Sequence, residues 1–307
     1  MTWLTAAVLQ AVAAPDGAPP APEPDVVLPV LSLHEWVSGS ERPRAFLLAD
    51  LPRVLVLAQP DLGSQGETFG RMVAFLEKSG LPRNRVPAQS ELSQWLRQTG
   101  QRVETLTYGN NLEASRLARF YNLARWQGEA LAAAESSLLQ QLLRWRVLSL
   151  TPLGYVPGIG ASMVITFPLA SEPAACVPCR VDEADSLAVL DHEYQHARYF
   201  LDPALQHYTE WYWFNRVSLL QRQAILRLLE RRDYDTTQQS LVLDEFHAFL
   251  AQGRGVLASP GQQPGQGLHV FEPLRKDFFN AMAVLEAGKG PASEPSSHPS
   301  SIQGERK

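Results

Sequence analysis

The segment from Leu187 to Phe200 reads LAVLDHEYQHARYF and holds an H-E-x-x-H pattern, His192-Glu193-Tyr194-Gln195-His196. On a helix, side chains four apart share one face and stand about 6 Å apart. Two imidazoles at that spacing can grip one divalent ion, and Glu193 then sits one step round the helix beside it. Ala188, Val189 and Leu190 precede the pattern, and Ala197, Tyr199 and Phe200 follow it. The pattern therefore predicts a helix buried on its far side that turns two histidines toward a polar site. Zinc suits such a site, because it accepts imidazole and carboxylate, prefers four ligands and can keep one position for water. It also lowers the pKa of that water toward neutrality, and Glu193 is placed to act as general base toward it. We take His192 and His196 as metal ligands and Glu193 as the catalytic residue.

A third protein ligand is required. Glu245 lies in LVLDEFHAFL, residues 241–250, a segment with helical periodicity 49 residues after His196. Here the sequence resembles the gluzincin group of zincin metallopeptidases, in which a Glu on a later helix completes the site, often as Glu-x-x-Ala-Asp. Glu245-Phe246-His247-Ala248 matches the first four positions, and Phe249 replaces the Asp that orients a zinc-binding histidine. Asp244 and Asp191 are the residues that could supply that support instead. The resemblance implies a zincin-like α+β fold: a small mixed sheet with a backing helix, then the motif helix and a mostly helical C-terminal subdomain. It further implies an edge strand above the cleft, for which Ala161 to Leu169 is the candidate, and a backing helix, for which Leu112 to Leu148 is the candidate. An extended peptide would pair with such an edge.

The competing third ligand is Asp202, ten residues after His192, where the metzincin pattern wants one. That pattern needs a Gly to turn the chain back toward the metal, and Tyr199 occupies its place. Asp202-Pro203 reads more simply as the N-cap and first residue of a following helix. His207 and Glu210 on that helix are weaker competitors.

Along the chain, residues 1–14 resemble a short signal peptide without the usual positive start, since no Lys or Arg precedes Arg42. This places the protein in the periplasm or outside the cell. Residues 15–30 read as a Pro/Ala-rich linker. Residues 31–150 form an N-terminal α/β part, 151–286 the metal-binding part, and 287–307 a Ser/Pro/Gly-rich tail expected to be disordered. Residues 45–58 suggest strands interrupted by Pro52, and Glu67 to Lys78 a helix. A second helix runs from Ser90, its N-cap, to Gln98, and Arg102 to Tyr108 suggests a strand. The region from Leu112 to Leu148 reads as helical with a break near Gln127-Gly128, and Ala161 to Leu169 reads as a strand with β-branched Val164, Ile165 and Thr166. Strands early and helices late indicate an α+β class.

Net charge is −5 and no basic run of five occurs, which excludes the electrostatic field of a nucleic-acid binder. No apolar run is long enough to span a bilayer. Cys176-Val177-Pro178-Cys179 lacks the second pair a zinc knuckle needs, and is expected to close a local disulfide if the protein is exported. The aromatic run from His207 to Phe214 reads as core packing, with Tyr208 or Tyr212 a possible pocket wall. A hydrolase of this kind needs a donor for the tetrahedral oxyanion, and His207, Tyr208, Tyr234 and His247 are open candidates. The expectation is a zinc-dependent metallopeptidase. A non-catalytic binding module at the cell envelope, or a metal-dependent cell-wall amide hydrolase, are the alternatives.

Overall fold

The computed structural model describes residues 27–171, 179–252 and 270–286. The 1–14 segment, most of the linker and the 287–307 tail lie outside the described residues. In chain order the elements are β1 (Val30–Leu31), α1 (Leu33–Ser38), β2 (Ala45–Leu48), β3 (Val54–Gln59), α2 (Leu62–Leu76) and α3 (Gln89–Thr99). Next come β4 (Asn110–Glu113), α4 (Ala114–Gln127), α5 (Ala133–Arg144), β5 (Leu148–Thr151), β6 (Gly154–Pro157) and β7 (Met163–Pro168). The rest is helical: α6 (Glu183–Leu201), α7 (Pro203–Asn215), α8 (Leu219–Glu230), α9 (Gln239–Ala251) and α10 (Glu272–Glu286). The class is α+β, as expected. No described helix is long and apolar enough to cross a membrane.

Five strands form one mixed sheet in the order β1-β2-β3-β7-β4, and β5-β6 is a separate hairpin. β3 and β7 run parallel at its centre, with Val54 opposite Met163 and Leu57 opposite Thr166, while β4 runs antiparallel to β7. Strand side chains alternate between faces. Leu55, Leu57 and Val164 accordingly join α2, α4 and α5 in one apolar cluster. Val54, Val56, Met163, Ile165 and Phe167 join Val189, Leu190 and Ala197 of α6 in another. The sheet is thus covered on both faces, and α6 is pinned to one of them. A third cluster, separate from the sheet, unites α7 to α10 around Tyr212, Trp213, Phe246, Phe271 and Phe278. The aromatic run is core there, as expected: Tyr208, Tyr212 and Trp213 are buried.

Four local expectations are corrected. The segment Met163–Pro168 is a strand, but it lies between β3 and β4, so β4 is the edge. The region 112–148 is not a single helix: β4 runs to Glu113, and Gly128, at φ 66°, ends α4 before α5 begins. The break falls where the sequence suggests. Residues 102–108 form no strand. Val103–Thr105 is a 3-10 turn laid against α2 at Gly66, where a Cβ would collide with the Val103 carbonyl. Leu106 is drawn in against Ala74, Leu92 and Trp95; burial of that one leucine overrides the β-branched pattern. Finally, Ala88 rather than Ser90 is the N-cap of α3, because Glu91 accepts the Ala88 N–H at 2.8 Å.

Behind the sheet, Arg71 of α2 meets Glu135 of α5 through two hydrogen bonds, Nε to Oε1 at 2.9 Å and Nη2 to Oε2 at 2.5 Å. Both side chains are almost fully buried. Removing one partner strands the other charge in an apolar layer. We predict that Arg71→Met lowers the unfolding free energy by about 3–5 kcal/mol. Urea denaturation checks this, and a loss well under 1 kcal/mol would show the pair to be dispensable.

Candidate metal centre

At about 100° per residue, Val189, Leu190 and Ala197 fall on the arc of α6 against the sheet. His192 and His196 fall on the adjoining arc, with Glu193 on the sheet side of them, between Val189 and Ala197. α9 packs over that arc, apolar on its other side through Leu243, Phe246 and Leu250. The two histidines and Glu245 of α9 are all buried, and their ligating atoms lie within 4.8 Å of one another. His192 Nε2 is 3.2 Å from His196 Nε2. It is 3.7 Å from Glu245 Oε2, and His196 Nε2 is 3.8 Å from Glu245 Oε1. Tetrahedral zinc with bonds near 2.05 Å would separate its ligand atoms by roughly 3.3 Å. Glu245 Oε2 is buried with no hydrogen-bond donor. Three convergent donors and an orphaned carboxylate oxygen fit a divalent ion, so this buried His-His-Glu group could hold one.

Each imidazole is fixed through its other nitrogen. His196 Nδ1 lies 2.7 Å from Asp244 Oδ1, and His192 Nδ1 lies 2.7 Å from Gln252 Oε1. With Nδ1–H donating to these oxygens, both Nε2 lone pairs turn to the shared point. Asp244 was one of the two residues expected in this role; the other, Asp191, accepts instead from Gln195 Nε2 at 3.1 Å. Phe249 offers no carboxylate to either imidazole and packs its ring 4.8 Å from that of His192. Gln252 escaped the sequence reading. It stands seven residues after Glu245, two helical turns along the same face, and that spacing was the available signal.

Glu193 is not part of the ligand triangle. Its carboxylate takes a hydrogen bond from Asn111 Nδ2 of β4 at 3.4 Å, and Gly109 has no room for a Cβ against it. Burial raises its pKa, against the lowering influence of His196 and His192. Burial alone would lower His196, but Asp244 and Glu245 outweigh it and push the imidazole up to about 10 in the absence of metal. Glu245 is held below its ordinary value: burial raises it, and His196 and His192 more than compensate.

A cavity of about 330 Å³ opens beside the cluster, lined by His192, Glu193, Gly109, Glu77, Lys78 and Tyr234 among others. Of the four candidate oxyanion donors, Tyr234 alone lines it. His207 is exposed. The Tyr208 hydroxyl donates to the Phe278 carbonyl at 3.0 Å. His247 is buried away from the cavity, stacked on Tyr199 of α6, with burial lowering it to about 3. Tyr212 likewise serves the core, donating to Asp277 at 2.9 Å. Asp202 is no ligand: it caps α7, accepting from the Ala204 and Leu205 amides at 2.9 and 3.1 Å. Glu210 is exposed and takes a 3.4 Å contact from Gln239. Cys179 is disulfide-bonded, in line with the expected local bridge, and Cys176 lies outside the described residues.

No protein-family model, curated protein or solved structure matches the chain.

Two outcomes follow from this geometry. Asp244→Ala and Gln252→Ala should each weaken zinc binding by about 10–100-fold in competition with a chromophoric chelator, while Asp191→Ala leaves it unchanged. Equal affinities across all three variants would break the assignment. Zinc uptake at neutral pH should also release about one proton, because His196 holds one in the metal-free protein and must lose it to coordinate. Calorimetry in buffers of different ionisation enthalpy measures this. By the same linkage, the stability that protonated His196 lends the metal-free protein is complete below pH about 6.5 and fades as pH rises toward about 10.

Proposed function

We propose that the protein is a zinc-dependent hydrolase, a peptidase of the zincin type, with His192, His196 and Glu245 as the metal ligands. The observation that carries this reading is the buried triangle of 3.2, 3.7 and 3.8 Å with an unligated glutamate beside it at a cavity mouth. A metal with a purely structural task needs no such glutamate. Zinc bound there would supply Lewis acidity, which polarises a scissile carbonyl and acidifies water. Glu193 takes a proton from the attacking water and returns it to the leaving amine. Burial lifts its basicity for that task, and Asn111 and Gly109 fix the position of its carboxylate.

Two further features favour a peptide substrate. β4 ends the five-stranded sheet and carries Asn111, so the strand beside Glu193 is an edge strand, the kind with which an extended chain pairs. Tyr234 lines the cavity, and burial raises its phenol well above the ordinary value. It stays protonated, and its hydroxyl, which acts on the Glu245 carboxylate in the metal-free protein, is the candidate donor to a developing oxyanion. The absence of an Asp at Phe249 leaves neither imidazole unsupported, because Gln252 holds His192 and Asp244 holds His196. The disulfide at Cys179 supports export from a reducing compartment.

Glu193→Gln should retain about one equivalent of zinc and cut peptide hydrolysis by about 10²–10⁴-fold. Metal analysis beside a chelator-controlled peptide assay decides it. Undiminished turnover in that variant, or wild-type turnover indifferent to chelator, would overturn the proposal.

A further inference from the structure

The cavity that meets Glu193 at one end is walled at the other by two backbone segments held together across the molecule. Ser79 N–H donates to the Asp233 carbonyl at 2.9 Å and Asp235 N–H to the Glu77 carbonyl at 2.8 Å. This seam brings Lys78 beside Arg231, Arg232 and Tyr234, all of which line the cavity. The Lys78 side chain is an unusual feature. It is 5% exposed, donates to the Arg232 carbonyl at 3.2 Å and rests 4.5 Å from the centre of the Tyr234 ring. Among the described residues no carboxylate comes within ion-pair distance of it. Burial lowers the pKa of this amine, against the raising influence of Glu77, Glu245 and Asp233, so its charged form is held at a cost that an anion bound against it would relieve. One of its three N–H bonds accounts for the only hydrogen bond seen.

The carboxylates whose charge reaches Lys78, those of Glu77, Glu245 and Asp233, stop short of contact with it. Asp233 is engaged by the Gln101 side-chain amide. Glu77 faces the same cavity, and burial pushes its carboxyl up to about 7, so it becomes neutral readily when another anion approaches. Once protonated it is a donor. The wall therefore offers an ammonium, two guanidinium-bearing residues and a carboxyl able to donate.

We propose that Lys78, with Arg231 and Arg232 beside it, forms a subsite for a carboxylate of the substrate, so that peptides bearing an acidic group near the bond to be cut are selected. The group is either an acidic side chain or a free C-terminus; the chemistry is the same. The proposal rests on the peptidase reading for the identity of the ligand as a peptide.

The test measures equilibrium binding to the full-length, zinc-treated Glu193→Gln protein, so that no turnover intervenes. Three probes suffice: acetyl-Ala-Glu-Ala-amide, acetyl-Ala-Gln-Ala-amide and acetyl-Ala-Gln-Ala with a free carboxylate. One or both acidic probes should bind about tenfold or more tighter than the neutral one, the ratio a charge-assisted hydrogen bond supplies. Whichever does so identifies the source of the carboxylate. Adding Lys78→Met should bring the ratio close to one. Arg231→Gln, at an exposed position, should reduce the ratio as well, and it decides the matter should the buried substitution fail to fold. Equal binding of all three probes, no binding of any, or a preference that survives the substitutions would overturn the subsite; the last would mean that the carboxylate is held elsewhere, for instance by the metal. Cleavage of the neutral peptide by wild-type protein, with and without chelator, tests the peptidase reading separately. Selective binding without cleavage would sink that reading and leave the subsite standing.

Discussion

The docking of α9 against α6 is the contact on which the centre depends. It encloses two imidazoles and the carboxylate of Glu245 in a space where each is nearly inaccessible to water. Such an assembly of polar groups is expensive unless each finds a partner. Asp244, Gln252 and a divalent cation are the partners available, and two of them come from α9 and its C-cap, like Glu245. α9 thus brings one ligand and both imidazole anchors together. A rotation of this helix would misplace all three, so cation affinity and helix docking stand or fall as one equilibrium.

The sheet provides the other half of the positioning. β3 and β7 anchor α6 by its apolar arc, while β4 reaches past them to the face where Glu193 emerges. Asn111 and Gly109 lie some eighty residues away from Glu193 in the chain, yet they set the space its carboxylate occupies. Glu193, the proposed acid-base group, is therefore held by the sheet edge, and the proposed ligands by the helix pair.

Much of this was legible in the residues. The H-E-x-x-H pattern marked α6, helical spacing marked α9, and Glu245 falls where the three donors meet. Asp202-Pro203 read correctly as a helix start because capping is a local matter, decided by the residues at hand. What could not be read was nonlocal. Asn111 carries no pattern, since its meaning comes from a strand order that only tertiary pairing fixes. The stretch from Arg102 to Tyr108 has the composition of a strand, but Gly66 of α2 admits its backbone so closely that a tight turn packs better. The position of β7 was misjudged for a similar reason: a β-branched strand looks the same at an edge and in a centre until its neighbours are known. Gln252 is the intermediate case, periodic with Glu245 but chemically unremarked because a glutamine is not a metal ligand.

The seam between residues 77–79 and 233–235 has a consequence for how this chain can change over time. Its amide bonds knit the early and late portions of the polypeptide together, and its side chains furnish the far wall of the cavity. A substitution there alters the recess and the cohesion of the whole molecule at once. Variation in what the recess accepts should therefore accumulate at its outer lip, around the exposed Arg231, where a side chain can be exchanged without loosening the join.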